Sequence, residues 1–219
     1  MTTRPNKWRR FRKSRMVRYG SRVPYYLAKV AALSRTVAYL SSVINVEKKY
    51  VIATGTATNI NAAGALTLLN GCSEGDDENS RSGQSIKSQR IFGRVKLNPN
   101  TGAASPPLVR VMIIQDKRQV DSTTPAVTDV LHTATPMSSL AGKNFGRFNI
   151  LYSKEVILNP TENRSRILKI NVKVPGHVRY SGAASTTVSA NGLYLLIIGD
   201  ASTNVPTFDH DLKFTYTDN

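Results

Sequence analysis

The 219-residue chain is long enough to form one domain with a proper hydrophobic core, and its 30 Lys and Arg against 14 Asp and Glu give a formal charge of +16. One cysteine excludes a framework of internal disulfides, and no stretch approaches the roughly 18–20 apolar residues that a membrane-spanning helix needs. These properties favour a polyanionic partner over a membrane.

The positive charge is concentrated at the N-terminus, where the first 22 residues contain nine Lys or Arg and no acid. Residues 1–49 carry a net charge of +12, whereas residues 50–219 carry +4. Such a segment neutralises phosphates without reading sequence, and aromatic rings among its cations can stack on unpaired bases. A solvated tail and a membrane-surface segment are weaker alternatives, because only a thin apolar face accompanies the charges. The predicted nucleic-acid-binding residues are Arg4, Lys7, Trp8, Arg9, Arg10, Phe11, Arg12, Lys13, Arg15, Arg18 and Arg22. Residues 7–13 also match the composition of a nuclear import signal.

The spacing of apolar residues predicts an α-helix over residues 24–41, near the end of a basic arm that comprises residues 1–44. Val30, Leu33, Val37 and Leu40 follow one another at helical intervals and share one face. Two interpretations remain open, since this face can pack on the chain's own domain or on copies of itself in an oligomer.

Residues 45–219 are predicted to form one β-rich domain. It starts with a strand of period-two alternation, followed by a turn-rich stretch at 54–65 and a short apolar run at 66–69. Further strands are predicted at 86–97, 108–115, 146–158, 166–174, 193–199 and 207–216, and a short helix at 125–131. Seven or eight strands with little helix indicate an all-β antiparallel sandwich or barrel.

The segment from Leu193 to Ile198 is apolar throughout, which predicts a strand that is buried on both faces. Antiparallel sandwiches usually leave one face of a sheet in contact with water. We therefore expect the outer face of this strand to contact another subunit.

No catalytic constellation occurs in the sequence, so we expect the protein not to be an enzyme. Its three histidines lack the spacing of metal ligands. Asp209, His210 and Asp211 are consecutive in a predicted strand, where neighbouring side chains point to opposite faces. Cys72 is predicted to be a small buried hydrophobe rather than a nucleophile.

Four carboxylates lie within five residues between Glu74 and Glu78, on a predicted loop. Carboxylates this close repel one another unless something offsets their charge. The alternatives are a solvated turn, a Ca²⁺ ion held by these hard oxygen ligands, and an Arg from another copy of the chain.

Several segments resemble the satellite tobacco necrosis virus coat protein family, in the same order and with similar spacing, over roughly residues 66–219. They are Asn70-Gly71, Gly75-Asp76-Asp77, Asn79, Arg81-Ser82-Gly83, the gap-free run from Thr123 to Ser138, the run from Arg147 to Leu151, Asn191-Gly192, Ile198-Gly199-Asp200 and Tyr216-Thr217-Asp218. Residues 44–49 are more similar to capsid proteins of small circular single-stranded DNA viruses.

The resemblance implies an eight-stranded single jelly roll, in which two four-stranded sheets pack face to face. It also implies a closed icosahedral shell of sixty identical subunits (T=1), with the basic arm directed at the genome. Bundling of arm helices at the threefold axes would make Val30, Leu33, Val37 and Leu40 oligomer contacts.

The resemblance further implies calcium between subunits, since Asp76, Ser82 and Asp218 match ligand positions of the family. Ser85 stands where the family has a glutamine ligand. Calcium is therefore an optional ligand in this prediction, and no cofactor is required.

These observations predict a capsid protein of the virion that self-assembles and packages a single-stranded genome, DNA in preference to RNA. The host nucleus is a candidate site of assembly, and no membrane partner is expected. The alternative is a non-viral nucleic-acid-binding protein, such as a ribosomal protein with a basic extension.

Overall fold

The computed structural model describes residues 22–43, 47–119 and 123–218, and the chain divides into two compact units, Met1–Asn45 and Val46–Asn219. The described part of the first unit is helix α1, Arg22–Val43. This confirms the predicted helix and extends it by two residues at each end. No helix among the described residues is long and apolar enough to cross a membrane.

The described part of the second unit contains ten strands and two short helices. The strands are β1 Lys48–Asn59, β2 Ala65–Leu68, β3 Ser85–Asn98, β4 Leu108–Asp116, β5 Phe148–Ile157, β6 Arg166–Lys173, β7 His177–Tyr180, β8 Val188–Ala190, β9 Gly192–Gly199 and β10 Thr207–Asp218. Helix α2 spans Val127–Val130, and a 3₁₀ turn spans Gly142–Asn144.

These strands form two antiparallel sheets with the alternating connectivity of a jelly roll. One sheet has the order β1-β10-β3-β7-β8, with β6 also paired to β3, and the other has the order β2-β9-β4-β5. The all-β jelly-roll prediction is confirmed. The larger sheet has six strands rather than the expected four, because the short pair β7 and β8 extends it beside the N-terminal end of β3.

The core lies between the inward faces of the two sheets. Along β10 every second side chain is buried, from Phe208 through Leu212 and Phe214 to Tyr216. The alternation predicted for β6 is also confirmed, since Leu168 and Ile170 are buried and their neighbours are exposed. One boundary was wrong, because β1 continues to Asn59 by pairing with β10 across a register shift. Ladder hydrogen bonds outweigh the weak strand propensity of this Thr- and Ala-rich stretch.

Strand β9 is buried along its whole length, as predicted, but the prediction of a subunit contact on its outer face is wrong. Tyr194, Leu196 and Ile198 of that face pack in one cluster with residues of α2 and its C-terminal neighbour, among them Val130 and Leu131. The connection between β4 and β5 folds over the strand, so the chain covers its own apolar face.

Candidate functional surfaces

The predicted oligomer contacts on α1 are all solvent-exposed in this chain. Val30, Leu33, Val37 and Leu40 are between 53% and 65% exposed. Tyr25, Leu27 and Tyr39 on other sides of the helix are exposed to the same extent. The helix therefore presents apolar surface around much of its circumference. A partner that packs against the helix would remove this apolar surface from water.

Most predicted nucleic-acid-binding residues, from Arg4 to Arg18, lie outside the described residues. Arg22 is the first residue of α1. The assignment of the basic arm to nucleic acid therefore stays a prediction, supported by charge alone.

Of the three predicted calcium ligands, the structure brings two together. Ser82 donates hydrogen bonds to Asp218 Oδ2 from its backbone N–H at 2.7 Å and from its hydroxyl at 2.9 Å. Asp76 is exposed, and among the described residues it forms no ion pair or hydrogen bond with Ser82 or Asp218.

A lysine occupies the position next to this carboxylate. The ammonium of Lys49 lies 3.3 Å from Asp218 Oδ2 and 3.4 Å from Glu47 Oε2, and its side chain is 2% exposed. Burial lowers the pKa of Lys49, but the hydrogen bonds to Asp218 and Glu47 outweigh it, so the pKa lies above its ordinary value. Sequence analysis missed this residue, although its place on the inward side of β1, two residues before Val51, was a usable signal.

The donor set within one chain does not fit a complete calcium site. Ca²⁺ takes about 6–8 oxygen ligands, whereas the described residues contain no group of three or more His, Cys, Asp or Glu that could hold a metal. Asp218 Oδ1 is buried without a hydrogen-bond partner among the described residues, but the ammonium of Lys49 already offsets this carboxylate. The calcium prediction stays a prediction, and it would need ligands from a second subunit.

Arg81, the arginine in the acidic loop, is fully buried rather than available to another copy. Its guanidinium donates to the backbone oxygens of Cys72, Gly83 and Gly182, and it lies 4.1 Å from the centre of the Tyr180 ring. This arginine therefore holds the loop in shape.

Cys72 is buried as predicted, and its backbone carbonyl accepts the hydrogen bond from Arg81 described above. Its sulfur lies 3.1 Å from the hydroxyl of Tyr216, which donates to the carbonyl of Ser80. Burial raises the pKa of the Cys72 thiol. A thiol of this kind is inert and suited to packing.

The surroundings of His210 indicate a role in packing rather than in catalysis. Its imidazole is buried beside the ring of Phe208, and neither ring nitrogen has a hydrogen-bond partner among the described residues. Burial lowers its pKa. Asp211 is exposed on the opposite face of the strand, so the predicted separation of His210 from its acidic neighbours is confirmed.

Comparison with known proteins identifies one matching family and two relatives of similar length. The family described as satellite tobacco necrosis virus coat protein matches residues 29–219. The capsid protein of satellite tobacco necrosis virus 1 is 30% identical over 175 residues, covering 78% of this chain and 86% of the relative. The coat protein of satellite tobacco necrosis virus 2 is 28% identical over 178 residues, with the same two coverages. A structure of infectious bursal disease virus, Gx strain, aligns with 78% of this chain and 32% of that chain at 8% identity and a TM-score of 0.34.

Proposed function

Because the chain belongs to the satellite tobacco necrosis virus coat protein family, we propose that it assembles into an icosahedral shell of sixty copies and packages a single-stranded genome through its basic arm. The family membership makes it a viral coat protein, a structural component of the virion built from identical subunits. Family membership therefore argues against the alternative of a ribosomal or other non-viral protein.

The exposed apolar side chains of α1 support the assembly step. Burying a Val or Leu side chain stabilises by about 1.5–3 kcal/mol, and Val30, Leu33, Val37 and Leu40 leave more than half of each side chain in water. Packing of this face against α1 of neighbouring subunits would bury it in every copy. We assign these four residues to the contact between subunits.

The charge of the arm supports the packaging step. Sixty segments with a net charge of +12 over residues 1–49 could neutralise roughly 700 phosphates, because each Lys or Arg can replace one condensed counterion. The arm is therefore matched to a polyanion of considerable length rather than to a small ligand.

The arm is tested by deleting residues 1–21, which removes eight positive charges and leaves α1 whole. We expect particles of the variant to contain much less nucleic acid, seen as a lower 260/280 nm absorbance ratio. A control that changes Thr3 and Ser14 to Ala keeps every charge and both aromatic rings of the segment and should package as much as the unmodified protein. An unchanged ratio after the deletion would reject the proposed role of the arm.

The kind of nucleic acid is a separate question. The preference for DNA depends on residues 44–49 and on the import-like composition of residues 7–13, and the family match, which begins at residue 29, includes the first of these segments. Digestion of the packaged material with DNase or RNase after opening native particles decides between the two genomes.

A further inference from the structure

The outer face of the larger sheet carries a second concentration of positive charge, which only the strand register brings together. Side chains alternate between the two faces of a strand, so the neighbours of buried Ile91 and Val95 on β3 point away from the core. Pairing with β6 places Lys173 opposite Arg90 and Lys169 opposite Arg94, while β10 adds Lys213 opposite Phe92. We call the part of this surface between Arg90 and Lys96 of β3, with the stretches of β1, β6 and β10 beside it, the basic face. Its cations are Arg90, Arg94, Lys96, Lys169, Lys173 and Lys213, and Lys87 and Arg179 are exposed on the same sheet beyond it.

The basic face holds the excess charge of the shell domain. Residues 50–219 contain seventeen basic and thirteen acidic residues. The basic face contains six of these basic residues and two of the acidic ones, Asp209 and Asp211. The rest of residues 50–219 therefore contains eleven basic and eleven acidic residues. The net charge of the domain is therefore a property of one surface.

Most of these cations form no ion pair with another residue of the described part of the chain. Among the described residues, no ion pair involves Arg90, Arg94, Lys169 or Lys173; on this face only Lys96 forms one, with Asp209 at 3.9 Å. Like charges directly opposite one another on neighbouring strands destabilise a sheet. An anionic partner that binds this face would remove that repulsion.

A cavity of about 300 Å³ lies at the centre of the basic face and combines the two features that recognise a nucleotide. Its lining residues are Ile52, Phe92, Gly93, Arg94, Asp211 and Lys213. Phe92 and Ile52 are 38% and 50% exposed, so an apolar floor is open to solvent. It is flanked by Arg94 and Lys213 and by the carboxylate of Asp211, which lies opposite Arg94 on β10. An aromatic ring in a basic groove stacks on an unpaired base, while Arg and Lys hold the adjacent phosphates.

We infer that the basic face binds single-stranded nucleic acid independently of the N-terminal arm, with phosphates on its Arg and Lys side chains and a base stacked on Phe92. A single strand is favoured over a duplex because stacking on Phe92 needs an unpaired base. The adjacent strands β1, β10, β3 and β6 give the surface a width of about 14 Å, and the stretch from Arg90 to Lys96 gives it a length of about 20 Å. This length suits a short stretch of single strand, on the order of four nucleotides, at the small end of known single-strand sites.

The charge of the face is tested by the salt dependence of binding. Dissociated full-length subunits are titrated with a fluorescent 20-nucleotide single-stranded DNA at increasing NaCl concentration, and anisotropy gives the affinity. The double variant R94Q/K169Q should reduce the slope of log K against log[NaCl] by about 1.4, since each phosphate contact to a single strand contributes about 0.7. The matched control K117Q/K154Q removes two exposed cations next to the smaller sheet and should leave the slope unchanged.

Stacking is tested by Phe92→Leu, which keeps an apolar side chain but removes the ring. We expect roughly a tenfold weaker affinity at fixed salt, with no change for Phe145→Leu, whose ring is 95% exposed elsewhere on the domain.

Equal slopes for R94Q/K169Q and its control, or unaltered affinity of Phe92→Leu, would overturn the inference. Loss of shell assembly by R94Q/K169Q at an unaltered slope would also overturn it, because the face would then contact another subunit. The arm is judged separately, by whether deletion of residues 1–21 lowers the slope.

Discussion

Replacement of Lys49 by Met is the most direct test of how the C-terminal end of β10 is held. The substitution keeps an apolar stem of similar length and removes a buried ammonium that lies 3.3 Å from Asp218 Oδ2. The Asp218 side chain is 7% exposed, and among the described residues its carboxylate would then keep the two hydrogen bonds from Ser82 and no ion pair. Breaking a buried ion pair from one side costs about 3–5 kcal/mol. Because the Ser82 donors remain, we expect a loss of about 3 kcal/mol, the lower end of that range.

The assay is urea denaturation of the isolated subunit, followed by circular dichroism, with the free energy of unfolding extrapolated to water. Lys48→Met is the matched control, since Lys48 is exposed and should change stability by less than about 0.5 kcal/mol. The double variant K49M/D218N should cost at least about 1 kcal/mol less than the sum of the two single variants, because the two side chains interact directly.

Calcium should not replace the ammonium in the isolated subunit. The described residues of one chain lack the roughly 6–8 oxygen ligands of a calcium site, so millimolar Ca²⁺ should leave the stability of Lys49→Met unchanged. The unmodified subunit should respond neither to Ca²⁺ nor to chelator. If chelator lowers the stability of the unmodified subunit, or if Lys49→Met is as stable as Lys48→Met, then Lys49 is not the cation that neutralises Asp218.

Three further predictions concern the helix and the core. Changing Val30, Leu33 and Val37 to Asp should block shell formation in negative stain while leaving the β-rich circular dichroism of the subunit intact; unfolding of the subunit would contradict this. The lowered pKa of His210 means that the unfolded chain binds its proton more readily, so stability should fall as pH drops below about 6.5, and His210→Leu should reduce that fall in urea titrations. Asp116 is fully buried and accepts two hydrogen bonds from the guanidinium of Arg147, at 2.6 and 2.9 Å. Asp116→Asn removes the charge of this pair and should reduce the free energy of unfolding by roughly 3 kcal/mol in the same assay.

The sequence predicted the long elements because their periodicity reports burial directly. Helix α1 and the strands that alternate cleanly were found within a few residues, since apolar spacings of 3.6 and 2 each specify one face. The pair β7 and β8 was missed because strands of four and three residues carry too few alternations, and because pairing of β7 with β3 is a contact distant in sequence. The end of β1 was missed because its pairing with β10 is likewise a contact between residues distant in sequence.

The functional surfaces could be predicted only where charge or apolar residues are contiguous in sequence. The arm is a local feature of composition, and so is the apolar face of α1. The pairing of Lys49 with Asp218 and the alignment of Arg94 with Lys169 join residues far apart along the chain, through ladders whose register no local pattern specifies. The covering of β9 by its own chain is a further case, since the predicted helix at 125–131 contains Val127 and Val130 but no local pattern specifies that they pack on that strand.

The distribution of charge suits the proposed function, which sets two opposing requirements: the subunit would both pack against copies of itself and bind a polyanion. Cations spread evenly over the surface would repel across every contact between subunits, whereas a neutral subunit would not attract a genome. In this chain residues 1–49 carry +12, the basic face carries six cations against two acids, and the remaining residues after position 49 have equal numbers of each sign. Contacts through the neutral part of the shell domain would then meet little electrostatic repulsion, and the proposed contact through α1 is made by apolar side chains, while binding to the two basic surfaces would weaken as salt rises. Salt should therefore release nucleic acid at concentrations that leave contacts between subunits intact.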